Sequence, residues 1–176
     1  MATYLAFLRA INLGAKRVFP KGDIRRVAEE LGFEDVDTHI NTGNVRLSTR
    51  MRSRARIEAA LEQGFARDRG FEVPTIAYSQ REFAALAEEA TAVTRPGLAR
   101  HYVYLMKDEL TPAQARAVES TSGDKGEMVV RGRVAHALLA PGYQDGDVDP
   151  LRAAKLLGTT TSRTLTVIST LAAKWC

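Results

Sequence analysis

Residues 3–14 read TYLAFLRAINLG, and this stretch decides how the rest of the chain is interpreted. The first seven residues form a nearly continuous apolar run, which is typical of a strand covered on both faces. After this run, a short polar loop that contains Asn12 and Gly14 begins at Arg9, at a point where the backbone must turn. The stretch therefore predicts a central strand followed by a loop that presents polar groups.

A helix and a hairpin are predicted after this loop. Apolar residues recur at helical spacing between Pro20 and Gly32; they are Ile24, Val27, Ala28 and Leu31. Residues 36–40 and 45–48 then read as two short strands. A second polar loop, residues 41–44 (NTGN), joins them, because asparagine and glycine tolerate the positive φ angles of a tight hairpin.

The first 93 residues predict a ferredoxin-like subdomain with an added helix. Ser53 caps a second helix that ends at Gly70, and residues 73–78 form another strand. The order strand, helix, strand, strand, helix, strand is the ferredoxin-like βαββαβ arrangement. A third helix opens with the capping box of Ser79 and Glu82.

Residues 98–176 predict a second α+β subdomain, separated from the first by the Pro-Gly joint at residues 94–97. We expect a strand at 101–106, a helix opened by Thr111, a hairpin at 127–139, a short helix from Asp149 to near Gly158 and a final helix capped by Ser162. This order repeats the first subdomain without its last strand. The predicted fold class is therefore α+β, with a related but incomplete second unit.

Composition restricts the cellular setting. The only cysteine, Cys176, is the last of the 176 residues, so no intramolecular disulfide forms and nothing indicates an oxidising compartment. No apolar segment approaches the ~20 residues that a membrane span needs. We expect a cytoplasmic protein with no membrane partner.

The two polar loops are the predicted binding site. In a ferredoxin-like unit the first and second strands run parallel, so the loops that follow them lie at one edge, where the first helix also begins. Unpaired helix N-H groups and nearby cations suit a phosphate or carboxylate. We expect the site to be lined by Arg9, Asn12, Lys16, Asn41 and Asn44. A purely structural role in the turns remains open for the asparagines and glycines.

An uneven charge distribution supports an alternative function. Residues 1–57 hold 11 Lys and Arg against 6 Asp and Glu, and no acid interrupts the arginines of residues 46–56; these are Arg46, Arg50, Arg52, Arg54 and Arg56. Nucleic-acid binding through this basic third is the first alternative, although a solvated surface loop explains the same run. A self-associating interaction module is the second, since ferredoxin-like sheets often leave a face or edge uncovered.

No catalytic signature accompanies these features. Phosphate-loop, dinucleotide and Gly-x-Ser-x-Gly patterns are absent, so enzymatic activity is left open without a nominated nucleophile or base. His39, His101 and His136 lie far apart and lack ligand spacing. Asp145, Asp147 and Asp149 alternate as in a calcium loop, but Pro150 and Leu156 replace its glycine and glutamate. We expect no metal and no cofactor.

The chain resembles the bacterial family catalogued as domain of unknown function 1697 (DUF1697). The resemblance extends over nearly the full length and rests on residues 4–14, on Leu31-Gly32-Phe33, on residues 42–45 and, more loosely, on residues 156–158 and 160–163. It implies two intertwined α+β subdomains, the first ferredoxin-like, and it implies no reaction. The expected function, binding of a small anionic ligand, therefore rests on the two polar loops and not on the resemblance.

Overall fold

The computed structural model describes residues 1–144 and 155–176, and these form two compact units. The first unit comprises Met1–Ala84 and Trp175–Cys176, and the second comprises Ala85–Lys174. In chain order the first seven elements are β1 (Ala2–Leu8), α1 (Lys21–Glu30), β2 (Glu34–His39), β3 (Asn44–Thr49), α2 (Arg54–Arg69), β4 (Thr75–Ser79) and α3 (Gln80–Val93). The other six are β5 (Arg100–Met106), α4 (Pro112–Glu119), β6 (Gly126–Arg131), β7 (Val134–Leu139), β8 (Thr160–Thr164) and α5 (Leu165–Trp175).

The first unit has the predicted ferredoxin-like topology. Its sheet has the strand order β2-β3-β1-β4, and every neighbouring pair is antiparallel. β1 lies in the middle and alternates its side chains between two faces, so that Tyr4, Ala6 and Leu8 join the core formed with α1 and α2. Phe7 points to the other face, where its ring stacks on Phe83 of α3 at 5.4 Å between centroids. The α+β class and the ferredoxin-like first unit are confirmed.

Local signals fix the ends of the helices. Ser53 accepts a hydrogen bond from the Arg56 amide at the start of α2, and Gly70 ends that helix with a φ of 77°. Ser79 and Glu82 form the predicted capping box, since the Ser79 amide donates to the Glu82 carboxylate over 2.7 Å. Thr111 forms a second one at the start of α4.

The second unit contains a strand that the sequence analysis omitted. Its sheet has the order β6-β7-β5-β8, which repeats the order of the first sheet, and β8 pairs antiparallel with β5. The expectation of an incomplete unit was wrong because Thr160–Thr164 lacks the apolar alternation of a half-buried strand. Ser162, the predicted helix cap, lies within this strand, and the hydroxyl of Thr164 accepts from the Val167 amide instead.

The helix predicted from Asp149 to near Gly158 falls largely on residues 145–154, which lie outside the described residues, and so does the alternation of Asp145, Asp147 and Asp149. Within residues 1–144 and 155–176, no helix combines the length and the apolar character that crossing a membrane requires.

Candidate ligand-binding site

The two polar loops lie side by side. They are residues 9–20, between β1 and α1, and residues 40–43, between β2 and β3, and together we call them the paired loops. The Leu8 amide donates to the Gly43 carbonyl over 2.9 Å, and the side-chain nitrogen of Asn12 lies 2.6 Å from the backbone oxygen of Asn41. The predicted adjacency of the loops is therefore confirmed.

Asn12 acts as the frame of the first loop. Its Nδ2 donates to the Phe19 carbonyl at 2.9 Å as well as to Asn41, while its Oδ1 accepts from the Phe19 amide at 2.7 Å. The Asn12 amide itself donates to the Arg17 carbonyl. The two hydrogen bonds that Nδ2 donates and the one that Oδ1 accepts therefore all have partners within the protein. Through these bonds Asn12 holds the first loop in its conformation.

The other two predicted asparagines also stabilise the loops. Oδ1 of Asn41 accepts from the Lys21 amide at 3.2 Å, which caps α1 from outside the helix because Pro20 offers no side-chain cap. Asn44 is fully buried, and its Nδ2 donates to the His39 carbonyl and to the Thr42 hydroxyl. Both residues thus serve the turns through these bonds.

The paired loops concentrate left-handed backbone. Four of the five non-glycine residues with positive φ in the described part of the chain lie here: Ala10 at 56°, Asn12 at 53°, Arg17 at 53° and Ile40 at 50°. Gly43 has a φ of 80°, and a Cβ at this position would approach the Leu8 Cβ to 2.7 Å. Each such non-glycine residue costs of order 1 kcal/mol or more, so the surrounding bonds must hold the conformation.

Arg17 is a structural residue of the first loop. Its Nε donates to the Ala10 carbonyl at 2.5 Å, its Nη2 donates to the Glu72 carbonyl, and its guanidinium lies 4.7 Å from the centre of the Phe71 ring. The sequence carries no signal for this role. Two of the partners are backbone carbonyls, which every residue type has, and the third is an aromatic ring far from Arg17 in the sequence.

Some polar groups of the paired loops remain directed to solvent. The side chains of Arg9 and Lys16 are exposed, and no hydrogen bond or ion pair of either is present in the described part of the chain. The Nδ2 of Asn41 likewise has no partner among residues 1–144 and 155–176. Leu13, Val18 and Ile40 add exposed apolar surface, with 60%, 49% and 41% of their areas accessible. The predicted site residues therefore divide into a frame, Asn12 and Asn44, and a rim, Arg9, Lys16 and Asn41.

Comparison with known proteins gives the family. Residues 1–136 match the family described as protein of unknown function (DUF1697), a range that includes the paired loops and the first sheet. The chain belongs to this family. Among solved structures, the conserved bacterial protein SP0830 from Streptococcus pneumoniae superposes with a TM-score of 0.77 over 98% of this chain and 97% of that one, at 20% identity. That likeness shows a shared fold. None of the curated proteins matches the chain.

This DUF1697 chain brings together two histidines that are far apart in its sequence. Nε2 of His101 on β5 lies 2.9 Å from Nδ1 of His136 on β7, and both residues are buried. The outer nitrogens, Nδ1 of His101 and Nε2 of His136, have no partner in the described residues. Burial lowers the pKa of each imidazole to about 4, and His101 and Arg131 add repulsion at His136.

Within the described residues, the histidine pair is not joined by further His, Cys, Asp or Glu side chains into a group of three or more that could hold a metal ion. The sequence did not indicate this pair, because the contact depends on how β5 and β7 are paired. His136 on β7 lies opposite Val103 on β5, and Val103 follows His101 by two residues on the same face of the sheet. The imidazoles are therefore neutral buried groups in the second unit of this DUF1697 protein.

Proposed function

We propose that the protein binds a small anionic ligand, bearing a phosphate or carboxylate group, on the rim of the paired loops. Arg9 and Lys16 would supply the positive charge, and the Nδ2 of Asn41 would supply a neutral donor. Asn12 and Asn44 would contribute by holding the loops in place. The function would be binding, because no nucleophile or general base is found among these residues.

One observation carries this proposal. Left-handed backbone at Ala10, Asn12, Arg17 and Ile40 is concentrated in two adjacent loops that expose uncompensated cations. Backbone strain that the surrounding structure over-determines clusters at ligand-binding sites, where it keeps the loop in the bound conformation. The concentration of left-handed backbone therefore supports a binding role for the paired loops.

The sole tryptophan gives a direct test. The ring of Trp175 lies 6.4 Å from that of His39, the residue before the β2–β3 loop, so its fluorescence should respond to a ligand on the paired loops. The protein would be titrated with inorganic phosphate, citrate, ribose 5-phosphate and adenosine monophosphate at low ionic strength, with thermal stability followed in parallel. We expect at least one of these probes to bind and to raise the melting temperature.

Two double variants identify the site. Arg9→Gln with Lys16→Gln should weaken binding at least tenfold without changing the melting temperature of the free protein, because both side chains are exposed. Arg116→Gln with Lys125→Gln removes the same charge from exposed positions of the second unit and should leave binding unchanged. A flat response to all four probes, or equal weakening in both variants, would contradict the proposal.

The structure bears on the two alternatives. Recognition of RNA by base stacking on the first sheet is disfavoured, because Phe7 and Tyr78 on the face that carries Phe83 are 0% and 2% exposed. Self-association through sheet edges is disfavoured at β4, whose Thr75 and Ala77 amides donate to Glu62 and Glu58 of α2.

A further inference from the structure

The end of the first sheet opposite the paired loops includes the amino terminus, the segments after β3 and β4, and the start of β2, where Glu34 pairs with Ser48. β3 ends at Thr49, which pairs with Ala2 at the start of β1, and β4 ends at Ser79, which pairs with Tyr4. The segments that follow β3 and β4 therefore lie at the same end as the amino terminus. The paired loops lie at the other end, where Phe7 pairs with Asn44.

This end carries four exposed arginines without an ion pair in the described part of the chain. They are Arg50, Arg52, Arg56 and Arg81, and we call them the arginine end. Some other arginines of the same unit do form ion pairs: Arg25 contacts Glu29 at 2.8 Å, and Arg26 contacts Asp68 at 2.9 Å. The four arginines thus add uncompensated positive charge at the end of the sheet opposite to Arg9 and Lys16.

Exposed acids at the arginine end form no ion pair with the four arginines in the described part of the chain, and Glu34, which lies opposite Ser48 at the start of β2, is one of these acids. No acidic residue occurs in residues 46–57, and the next one, Glu58, is buried and accepts from both Arg54 and Ala77. Glu82 accepts from the Ser79 amide. The first turn of α2 also lacks an acid, so Arg56 lies near the positive end of that helix dipole, where a cation is disfavoured. A bound anion would relieve this repulsion.

We infer that the arginine end binds the phosphate backbone of a single-stranded nucleic acid. The guanidinium group matches phosphate with two parallel hydrogen bonds, and several arginines on one surface suit a chain of phosphates better than one small anion. Arg50 and Arg52 are two residues apart in a non-helical segment, which spans at most about 7 Å and is comparable with the separation of successive phosphates.

The arginine end predicts a mode of recognition without base readout. No aromatic residue lies within residues 46–57, so stacking is not available there and binding would be independent of base sequence. An anionic membrane is the less suitable partner. Among the described residues, the large apolar side chains exposed at this end are Met1 and Met51, which is far less than the apolar helix face that holds a protein at a bilayer.

The test compares two variants with the same loss of charge. The first carries Arg50→Gln, Arg52→Gln, Arg56→Gln and Arg81→Gln. The second removes four exposed cations of the second unit by Arg100→Gln, Arg116→Gln, Lys125→Gln and Lys155→Gln. Fluorescence anisotropy of labelled oligouridine and oligothymidine 20-mers would be measured from 25 to 200 mM salt. Circular dichroism and Trp175 fluorescence would confirm that both variants fold.

The natural protein should bind both oligomers with a log-log salt slope of about −3, as expected for four phosphates neutralised on a single strand. The arginine-end variant should bind more than tenfold more weakly with a slope near zero, while the second variant should keep most of the affinity and the slope. Undetectable binding at 25 mM salt, an affinity independent of salt, or equal weakening in both variants would overturn the inference. Tighter binding to phosphatidylserine vesicles than to either oligomer would also overturn it and identify a membrane surface.

Discussion

The side-chain nitrogen of Asn12 bridges two loops, since it donates both to the Phe19 carbonyl within its own loop and to the Asn41 carbonyl across from it, at 2.9 and 2.6 Å. Asn12 also holds a φ of 53°, a conformation that asparagine adopts more readily than most residues. One residue therefore determines both the shape of the β1–α1 loop and its position beside the β2–β3 turn.

Asn12→Ala should lower the free energy of unfolding by about 2–4 kcal/mol, because it leaves the Phe19 amide and carbonyl unpaired and places alanine at a positive φ. Urea denaturation followed by Trp175 fluorescence would measure this. Asn41→Ala is the matched control: it removes only the side-chain cap on Lys21, keeps the backbone oxygen that Asn12 contacts, and should cost about 1 kcal/mol. A smaller loss for Asn12→Ala than for Asn41→Ala would contradict the bridging role.

Gly43→Ala should be more damaging than Gly14→Ala, although both glycines have positive φ. A Cβ on Gly43 would lie 2.7 Å from the Leu8 Cβ and 3.1 Å from the Ile11 Cδ1, whereas a Cβ on Gly14 would meet nothing within 4 Å. We expect a loss of about 3 kcal/mol at Gly43 and about 1 kcal/mol at Gly14, the second reflecting the left-handed backbone alone. Thermal unfolding of both variants would check the order, and equal losses would show that β1 shifts to admit the methyl group.

Local patterns predicted most of the first unit because its elements carry their own signals. The apolar run of β1, the stripe on α1 and the cap of Ser53 depend on neighbours in sequence, and each gave an element close to the observed one. β8 could not be predicted in this way, because Thr160–Thr164 is polar and becomes a strand through its pairing with β5. The Thr160 hydroxyl also donates to the Leu105 carbonyl of β5.

The sequence predicted that the paired loops are adjacent, but it did not predict which of their side chains turn inward. Topology alone brings the ends of β1 and β2 to one edge, so the adjacency of Asn12 and Asn41 could be inferred. Which side chains turn inward could not, because Asn12 and Arg17 contact backbone carbonyls, and every residue type supplies those. The His101–His136 contact was hidden for the same reason, since it depends on the register of β5 against β7.

Glu58→Ala should destabilise the first unit strongly, because the Glu58 carboxylate is 2% exposed and covers the outer edge of β4. Its Oε1 accepts from the Ala77 amide and from Arg54, each at 2.9 Å. Removal leaves a buried amide and a partly buried guanidinium without this partner, and we expect a loss of about 3 kcal/mol in urea denaturation. Glu62→Ala removes the equivalent bond to Thr75 from a half-buried position and should cost about 1 kcal/mol. Equal losses would mean that the burial of Glu58 has no energetic consequence.

The His101–His136 pair should make the stability of the protein fall as the pH falls from about 6.5 to about 4. Burial lowers the pKa of both imidazoles to about 4, so the folded protein keeps them neutral while the unfolded chain takes up protons near pH 6.5. The unfolded state therefore binds more protons in this interval. The stabilisation is complete above pH 6.5 and is lost progressively towards pH 4.

Chemical denaturation at half-unit intervals from pH 7.5 to 4.5 would measure this slope. His101→Gln with His136→Gln removes both titrating groups and should flatten the slope, whatever its effect on stability at pH 7.5. His39→Gln is the control, because His39 is a half-buried residue of the first unit and does not belong to the pair; it should keep the slope of the natural protein. If the free energy of unfolding of the double variant falls with pH as steeply as that of the natural protein, carboxylates alone produce the acid sensitivity. The buried imidazoles would then accept protons without unfolding.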